Sequence, residues 1–329
     1  FNVDTVAQYI NDLSNLKVMV IGDTIIDEYH TCTPLGKSSK SPTISTIYRS
    51  GVSYAGGSLA IANHMEQFAG KVQLVTLLGE QNTQKDFIES KLSEPIGRKF
   101  FFRNDGPTPT KRRYLDTYLN LKLFEVTFMN DKFIEKKLEQ EVIDYLKEAI
   151  ADFDIVLIAD FGHGFITPGI ISFLEESGKY LAINAQTNSN NFGFNYITKY
   201  KRANYISIDE KELRLPFGDA YGSVEEVIRK LQTITHCNNI QITLGAAGSV
   251  IYQDKKFMYT PAFATSVKDS VGAGDAVLSV TTLCNFAGVP AEVTGFVGNC
   301  VGTLAVNILG NEHPVYKKDL VKFVSHFLK

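Results

Sequence analysis

Asp269-Ser270-Val271-Gly272-Ala273-Gly274-Asp275 runs straight into an apolar segment, residues 276–287. Two glycines and an alanine leave the backbone bare where a helical pattern begins. The first amides of a helix have no intrahelical partner, and the helix dipole adds positive charge at the same end. Together they make an anion site. Asp275 sets a carboxylate beside it. An anion cradle with an adjacent base is what phosphoryl transfer needs. The amides of Gly272, Ala273 and Gly274 would hold the moving charge, and Asp275 would take the proton of the attacking hydroxyl. A glycine turn that merely caps a helix is the competing reading of any shorter match.

The 329 residues are 44% hydrophobic and 21% charged, with a formal net charge of -3. These values are ordinary for a globular chain and leave no electrostatic footprint for nucleic acid. The basic runs at 111–113 and 199–202 are short. No apolar stretch is long enough to span a bilayer, and no signal-peptide pattern opens the chain. Neither a nucleic-acid partner nor a membrane is therefore expected. Cys32, Cys237, Cys284 and Cys300 are scattered, which fits a reducing cytoplasm better than a disulfide framework. The six histidines lack zinc-ligand spacing. Phe1 in place of Met reads as the start of a piece of a longer polypeptide.

Residues 17–21 form a short apolar run ending at Gly22-Asp23, read as a buried strand. Residues 43–48 alternate like a half-exposed strand, 56–68 have helical spacing, and 72–78 return to strand character. Residues 110–118 and 121–128 read as two strands joined near Leu119-Asn120. With the 43–48 strand they make a candidate lid, built from segments near 30–50 and 108–128. Helices at 134–151, 168–177 and 224–235 then alternate with strands at 155–159, 180–184, 205–208 and 240–244. A β section spans 249–267, and helices follow at 274–287, 291–309 and 317–328. Strand–helix alternation predicts an α/β fold with a mainly parallel sheet, in one domain over 1–329. Ligands of such sheets bind beyond the carboxyl ends of the strands.

Three further groups stand out. Asp23 and Asp27 follow the first strand, and Gly56-Gly57 opens the next helix. A carboxylate there can accept hydrogen bonds from two sugar hydroxyls, although Asp and Gly also serve as plain turn and cap residues. Lys111 and Arg113 share one face of their strand, opposite Arg112. Facing a cleft they would suit a phosphorylated sugar; facing solvent they would be an ordinary charged surface. Thr243 to Gly248 follows a strand and Asp209 to Glu212 precedes a helix. Those two read equally as a hairpin turn and a charged helix start.

The 269–275 stretch resembles D-[TS]-x-G-A-G-D, the C-terminal signature of the ribokinase-like (PfkB) carbohydrate kinases. Gly22-Asp23 with Asp27, and Gly56-Gly57, are similar to that family's N-terminal features. Ser39-Lys40-Ser41-Pro42 and Thr110-Lys111-Arg112-Arg113 look like segments of the branch that phosphorylates D-glycero-D-manno-heptose 7-phosphate, half of a bifunctional kinase/nucleotidyltransferase. The resemblance runs from about Val18 to Val324. It implies a three-layer α/β/α domain with a small β-sheet lid, a homodimer, and a fused nucleotidyltransferase in the full-length protein. ATP and Mg²⁺ are the implied cofactors. Asp23, Gly56 and Gly57 would contact the sugar, with Asp27, Lys111, Arg113 and Asp160 beside them. Thr243, Gly245 and Gly248 would line the nucleotide pocket, with Asn299 and Gly302 against adenine. Glu212, with Asp209 where the family has Asn, would order Mg²⁺.

Four positions depart from the pattern. Ala60 stands for Asn, His163 for Lys, Asn184-Ala185-Gln186 for D-P-K, and Asn307 for Lys. The expected function is ATP-dependent phosphorylation of a sugar or sugar phosphate, heptose-phosphate-like. A kinase for a hexose, pentose or nucleoside, or a catalytically silent sugar- or nucleotide-binding regulator of the same fold, are the alternatives.

Overall fold

The computed structural model describes residues 1–119 and 121–328. Asn120, at the expected joint of two lid strands, lies outside the described residues. The chain runs α1 (Val3–Asp12), β1 (Lys17–Lys37), β2 (Ile44–Gly57), α2 (Ser58–Glu66), β3 (Lys71–Gln81), α3 (Lys85–Lys91) and β4 (Gly97–Pro107). It continues through β5 (Thr110–Asp116), β6 (Lys122–Phe128), α4 (Lys136–Ala149), β7 (Ile155–Asp160), α5 (Pro168–Glu176), β8 (Tyr180–Ala185), β9 (Tyr205–Asp209), α6 (Glu210–Arg214) and α7 (Val224–Thr235). The last part holds β10 (Asn239–Thr243), β11 (Ser249–Gln253), β12 (Lys256–Thr260), α8 (Ala273–Phe286), α9 (Ala291–Ala305) and α10 (Lys317–Phe327).

The body sheet has the order β12-β11-β10-β9-β8-β7-β1-β3-β4. It is parallel from β10 to β4, and only the β10–β11–β12 end is antiparallel. Strands covered on both faces read as continuous apolar runs, and β1 and β7 show why. Val18 and Val20 enter the core beneath α1, α2, α8, α9 and α10, while Met19 and Ile21 enter the core beneath α4, α5 and α7. On β7, Ile155 and Leu157 go one way and Val156 and Ile158 the other. The result is a three-layer α/β/α arrangement. Thr167 caps α5 by accepting from the Ile170 amide, with Pro168 in the first turn. All four cysteines are free and buried. No helix among the described residues is long and apolar enough to cross a membrane.

β1 does not stop at Gly22-Asp23. It pairs with β3 and β7 inside the body up to Asp23, then with β2 and β5 from Thr24 and Ile26 outward. Its outer half, with β2, β5 and β6, forms a lid in the order β2-β1-β5-β6. Asp27 thus sits at the junction of lid and body. α1, α3 and β4 are additions to the predicted set, and β2 is longer than its predicted segment.

Candidate active site

The bare turn becomes the start of α8. Gly272 occupies the N-cap position with φ +80°. That backbone favours glycine, and a Cβ there would stand 2.1 Å from Asn311 Oδ1 and push its side chain aside. A Cβ at Gly274 would meet nothing within 4 Å, so the residue borders open space. Among the described residues no acceptor reaches the Gly272, Gly274 or Asp275 amides, whereas the Ala273 amide bonds the Ser270 carbonyl at 3.3 Å. Asp275 lies in the first turn of α8, 6% exposed. Burial first, then the Asp27 carboxylate, push its carboxyl up to about 7, against the Gln186 hydrogen bond and Lys111. A base poised near neutrality is the useful case for proton abstraction.

Asp275 and the turn line a cavity of about 770 Å³, within the size range of small-molecule sites. The cavity lies beyond the carboxyl ends of β8, β9 and β10, as the open-sheet rule requires. Asp27, Gly57, Lys111 and Arg113 line it, and so do Asp209, Glu212, Thr243, Gly245, Gly248, Asn299 and Gly302. The lid is tied to the turn through Asp269. Its carboxylate accepts from Tyr29 Oη (3.1 Å) and Lys122 Nζ (3.4 Å) of the lid, and from the Val271 (3.2 Å) and Gly310 (3.1 Å) amides.

Asp23 and Asp160 were expected at the substrate, yet neither is part of the cavity wall. The Asp23 carboxylate accepts from the Phe161, His163 and Phe165 amides at 2.9, 3.3 and 3.3 Å, which pins the 161–165 loop over β1. Burial and the nearby Asp160 raise its pKa to about 6. Asp160 is spent on Tyr200 Oη (2.6 Å), Lys199, the Gly162 amide (3.0 Å) and Asn195 Nδ2 (3.2 Å). Asp27 is the carboxylate that faces the cavity, paired with Arg113 at 2.5 Å. Gly56 stays behind the wall, and Gly57, φ +60°, caps α2. The alternation along β5 holds. Lys111 and Arg113 line the cavity, while Arg112 pairs with Glu28. Arg113 is already engaged by Asp27 and by Glu125 at 2.8 Å. Lys111 has no ion-pair partner among the described residues, and burial lowers its pKa.

Gly248 needs its φ of +99°, since a Cβ would strike the Thr260 carbonyl at 2.0 Å. Asn299 uses its side-chain amide to join α9 to β11 and β12, through Ser249 Oγ (3.0 Å) and Thr260 O (3.2 Å). Gly302 lets α9 approach Val277 of α8. Asp209 and Glu212 form a capping box: Asp209 accepts from the Glu212 amide at 2.7 Å and Glu212 from the Asp209 amide at 3.0 Å. Both readings of this pair thus meet in one geometry, because the box also faces the cavity. Burial first, then Asp209, raise Glu212 to about 8. No cluster of three or more His, Cys, Asp or Glu forms a metal cage among the described residues. Magnesium needs none: one or two carboxylates plus substrate phosphates suffice. The donors here are all oxygen, and Asn184 Oδ1, in the same wall, is buried with no partner among the described residues. That set fits Mg²⁺.

The sequence pattern marks Gln186 only as a departure from D-P-K, with no role, and passes over Thr187. Gln186 Nε2 donates to Asp275 Oδ1 at 2.9 Å, and the Thr187 amide donates to Glu212 at 3.1 Å. Their position just past the end of β8 was the available signal. Of the departures, Ala60 is plain core in α2. His163 is buried with neither ring nitrogen bonded among the described residues. Burial first, and then Lys111, push it down to about 3, so it is neutral.

The pfkB family carbohydrate kinase model matches residues 15–317. The chain belongs to the pfkB family of carbohydrate kinases. Among curated relatives of this kinase, the Bifunctional protein HldE of Citrifermentans bemidjiense is 23% identical over 98% of the chain and 66% of the relative. That of Campylobacter jejuni subsp. jejuni serotype O:2 is 27% identical over 82% of the chain and 56% of the relative. The chain therefore spans about two thirds or less of those relatives. Its fold is shared with Arabidopsis thaliana ribokinase complexed with ribose and ATP (TM-score 0.69, 17% identity, 94% of this chain and 99% of that one). It is shared also with phosphofructokinase-2 from Escherichia coli in complex with substrates and products (TM-score 0.74, 11% identity, 95% and 100%).

Proposed function

We propose that the protein phosphorylates a hydroxyl of a sugar or sugar phosphate, heptose-phosphate-like, at the expense of ATP. One observation carries this reading: the Gly272 and Gly274 amides and the Asp275 carboxylate face one cavity, with the carboxyl poised near neutrality. Bound ATP with Mg²⁺ supplies the transferable phosphoryl group and offsets its charge. Asp27 and Gly57 orient the acceptor, and Lys111 meets an anionic group on it. Asp275 takes the proton of the attacking hydroxyl. The open amides of α8 stabilise the charge that builds on the transferred group, an effect for which one preorganised donor is worth about 3–4 kcal/mol. The 243–248 turn and Gly302 would seat the nucleotide, and Asp209 with Glu212 would help hold Mg²⁺ and its water shell.

We read residues 1–329 as one kinase domain, since β1 runs unbroken through body and lid. The edge strands of the lid expose Tyr48, Val52, Phe124 and Phe128, which supports a homodimer through the lid. The bifunctional relatives support a fused nucleotidyltransferase in a longer protein.

The test is ADP release from ATP and Mg²⁺ with D-glycero-D-manno-heptose 7-phosphate, D-fructose 6-phosphate, D-ribose and adenosine, each against a blank without acceptor. At least one sugar is expected to raise turnover well above the blank. No acceleration by any acceptor, together with tight binding of one, would favour a silent regulator, the reading that the neutral His163 and Asn184 support.

A further inference from the structure

We propose that Gln186 is the positioning residue of this site: its side-chain amide holds one oxygen of Asp275 and leaves the other free for the acceptor hydroxyl. The proposal rests on the reading of Asp275 as the base. Gln186 Nε2 donates to Asp275 Oδ1 at 2.9 Å, and among the described residues no donor reaches Oδ2. One carboxylate oxygen is thus fixed and the other is available.

Gln186 is itself held from three sides. Its amide donates to the Asp160 carbonyl at 2.8 Å. Its carbonyl accepts from Asn195 Nδ2 at 3.1 Å and Asn191 Nδ2 at 3.4 Å. The next amide, of Thr187, is fixed on Glu212. Asn195 also donates to the Asp160 carboxylate. The buried network around Asp160, which does not line the cavity, therefore has a function at a distance: it fixes the strand end that aims the base. With the Gln186 backbone fixed by these partners, its side chain starts from a set position, and the single bond to Asp275 needs little reorganising when the reaction occurs.

The charges that bear on Asp275 come from three other elements: Asp27 on β1, Lys111 on β5 and Glu212 on α6. Among them Gln186 contributes a donor without a charge. A cation in its place would keep the carboxylate ionised but make it a weaker base. An apolar residue of the same size would leave it unaligned.

The free protein allows the test. With aspartates ¹³C-labelled at the carboxyl, the Asp275 signal is assigned by its loss in Asp275→Asn and followed through pH, with a parent midpoint of about 7. Gln186→Lys is expected to lower that midpoint by about 1–3 units, the effect of a cation at contact. Gln186→Leu is expected to raise it by about half to one unit, the worth of one lost hydrogen bond. With the best acceptor of the panel above, Gln186→Leu should lower kcat by about 10- to 100-fold at a pH where Asp275 is ionised, and leave KM for ATP unchanged. An Asp275 midpoint unmoved in both variants, while Asp275→Asn is inactive, would overturn the role of Gln186 alone. Turnover by Asp275→Asn at the parent rate would overturn the base reading as well.

Discussion

Gly56 has no side chain in the space that the Asp27 carboxylate fills: a Cβ at Gly56 would stand 2.2 Å from Asp27 Oδ2. The glycine matters because it lets β2 and β1 pair (Ile25 opposite Gly56) while Asp27 turns toward the cavity and Arg113. Gly56→Ala is therefore expected to push Asp27 off Arg113, at an overpacking cost of about 1–3 kcal/mol. Steady-state kinetics should show KM for the acceptor raised about tenfold or more, with KM for ATP unchanged. Equal rises in both constants would place the damage elsewhere.

Lys111 separates a phosphorylated acceptor from a neutral one. Arg113 is held by two carboxylates, which leaves Lys111 as the cation in the wall without an ion-pair partner among the described residues. A hydrogen bond to a charged group is worth about 1.5–3 kcal/mol. Lys111→Met should thus lower kcat/KM about 10- to 100-fold for a sugar phosphate and leave D-ribose little affected.

Glu212 makes stability depend on pH with a defined sign. Its folded pKa of about 8 lies above the ordinary 4.5. Between those values the folded state binds the extra proton, so stability falls as pH rises through that window. Glu212→Gln keeps the capping contact and removes the titration. Its Tm advantage over the parent should be near zero at pH 4.5 and grow to a plateau above pH 8, worth a few kcal/mol at about 1.36 kcal/mol per unit. A constant difference across pH would contradict the burial of this carboxylate.

The exposed aromatic residues of the lid predict an assembly that light scattering can read. Phe124 is 53% and Tyr48 57% exposed, on opposite edge strands. Phe124→Asp should halve the mass of a dimeric parent. A parent monomeric at working concentration would remove the lid dimer from the account.

The parts legible in sequence are those where local chemistry leaves one choice. Apolar runs such as 155–159 and 180–184 become central strands because both faces are covered. The Gly272-Ala273-Gly274 turn announces itself because Gly272 sits at φ +80°, a conformation that side chains rarely adopt. Gly22-Asp23 looked like a stop because Gly and Asp punctuate most strands, yet β1 continues into the lid by changing partners, which no local pattern records. Asp23 and Asp27, four residues apart on one strand, present the same face. Only the fold reveals that the 161–165 loop covers the first and leaves the second open. α1 was missed although Val6 and Ile10, four residues apart, give it an amphipathic helical pattern. Gln186 stood out only as a departure from D-P-K, because its role depends on a partner 89 residues away.

The most direct measurement is the single-turnover rate of Asp275→Asn beside its affinity for ATP. Asn keeps the contact with Gln186 and cannot take a proton. The account expects an unchanged dissociation constant for ATP and a rate lower by about 10²- to 10⁴-fold, the range of general-base catalysis. A variant that transfers phosphate as fast as the parent would contradict it.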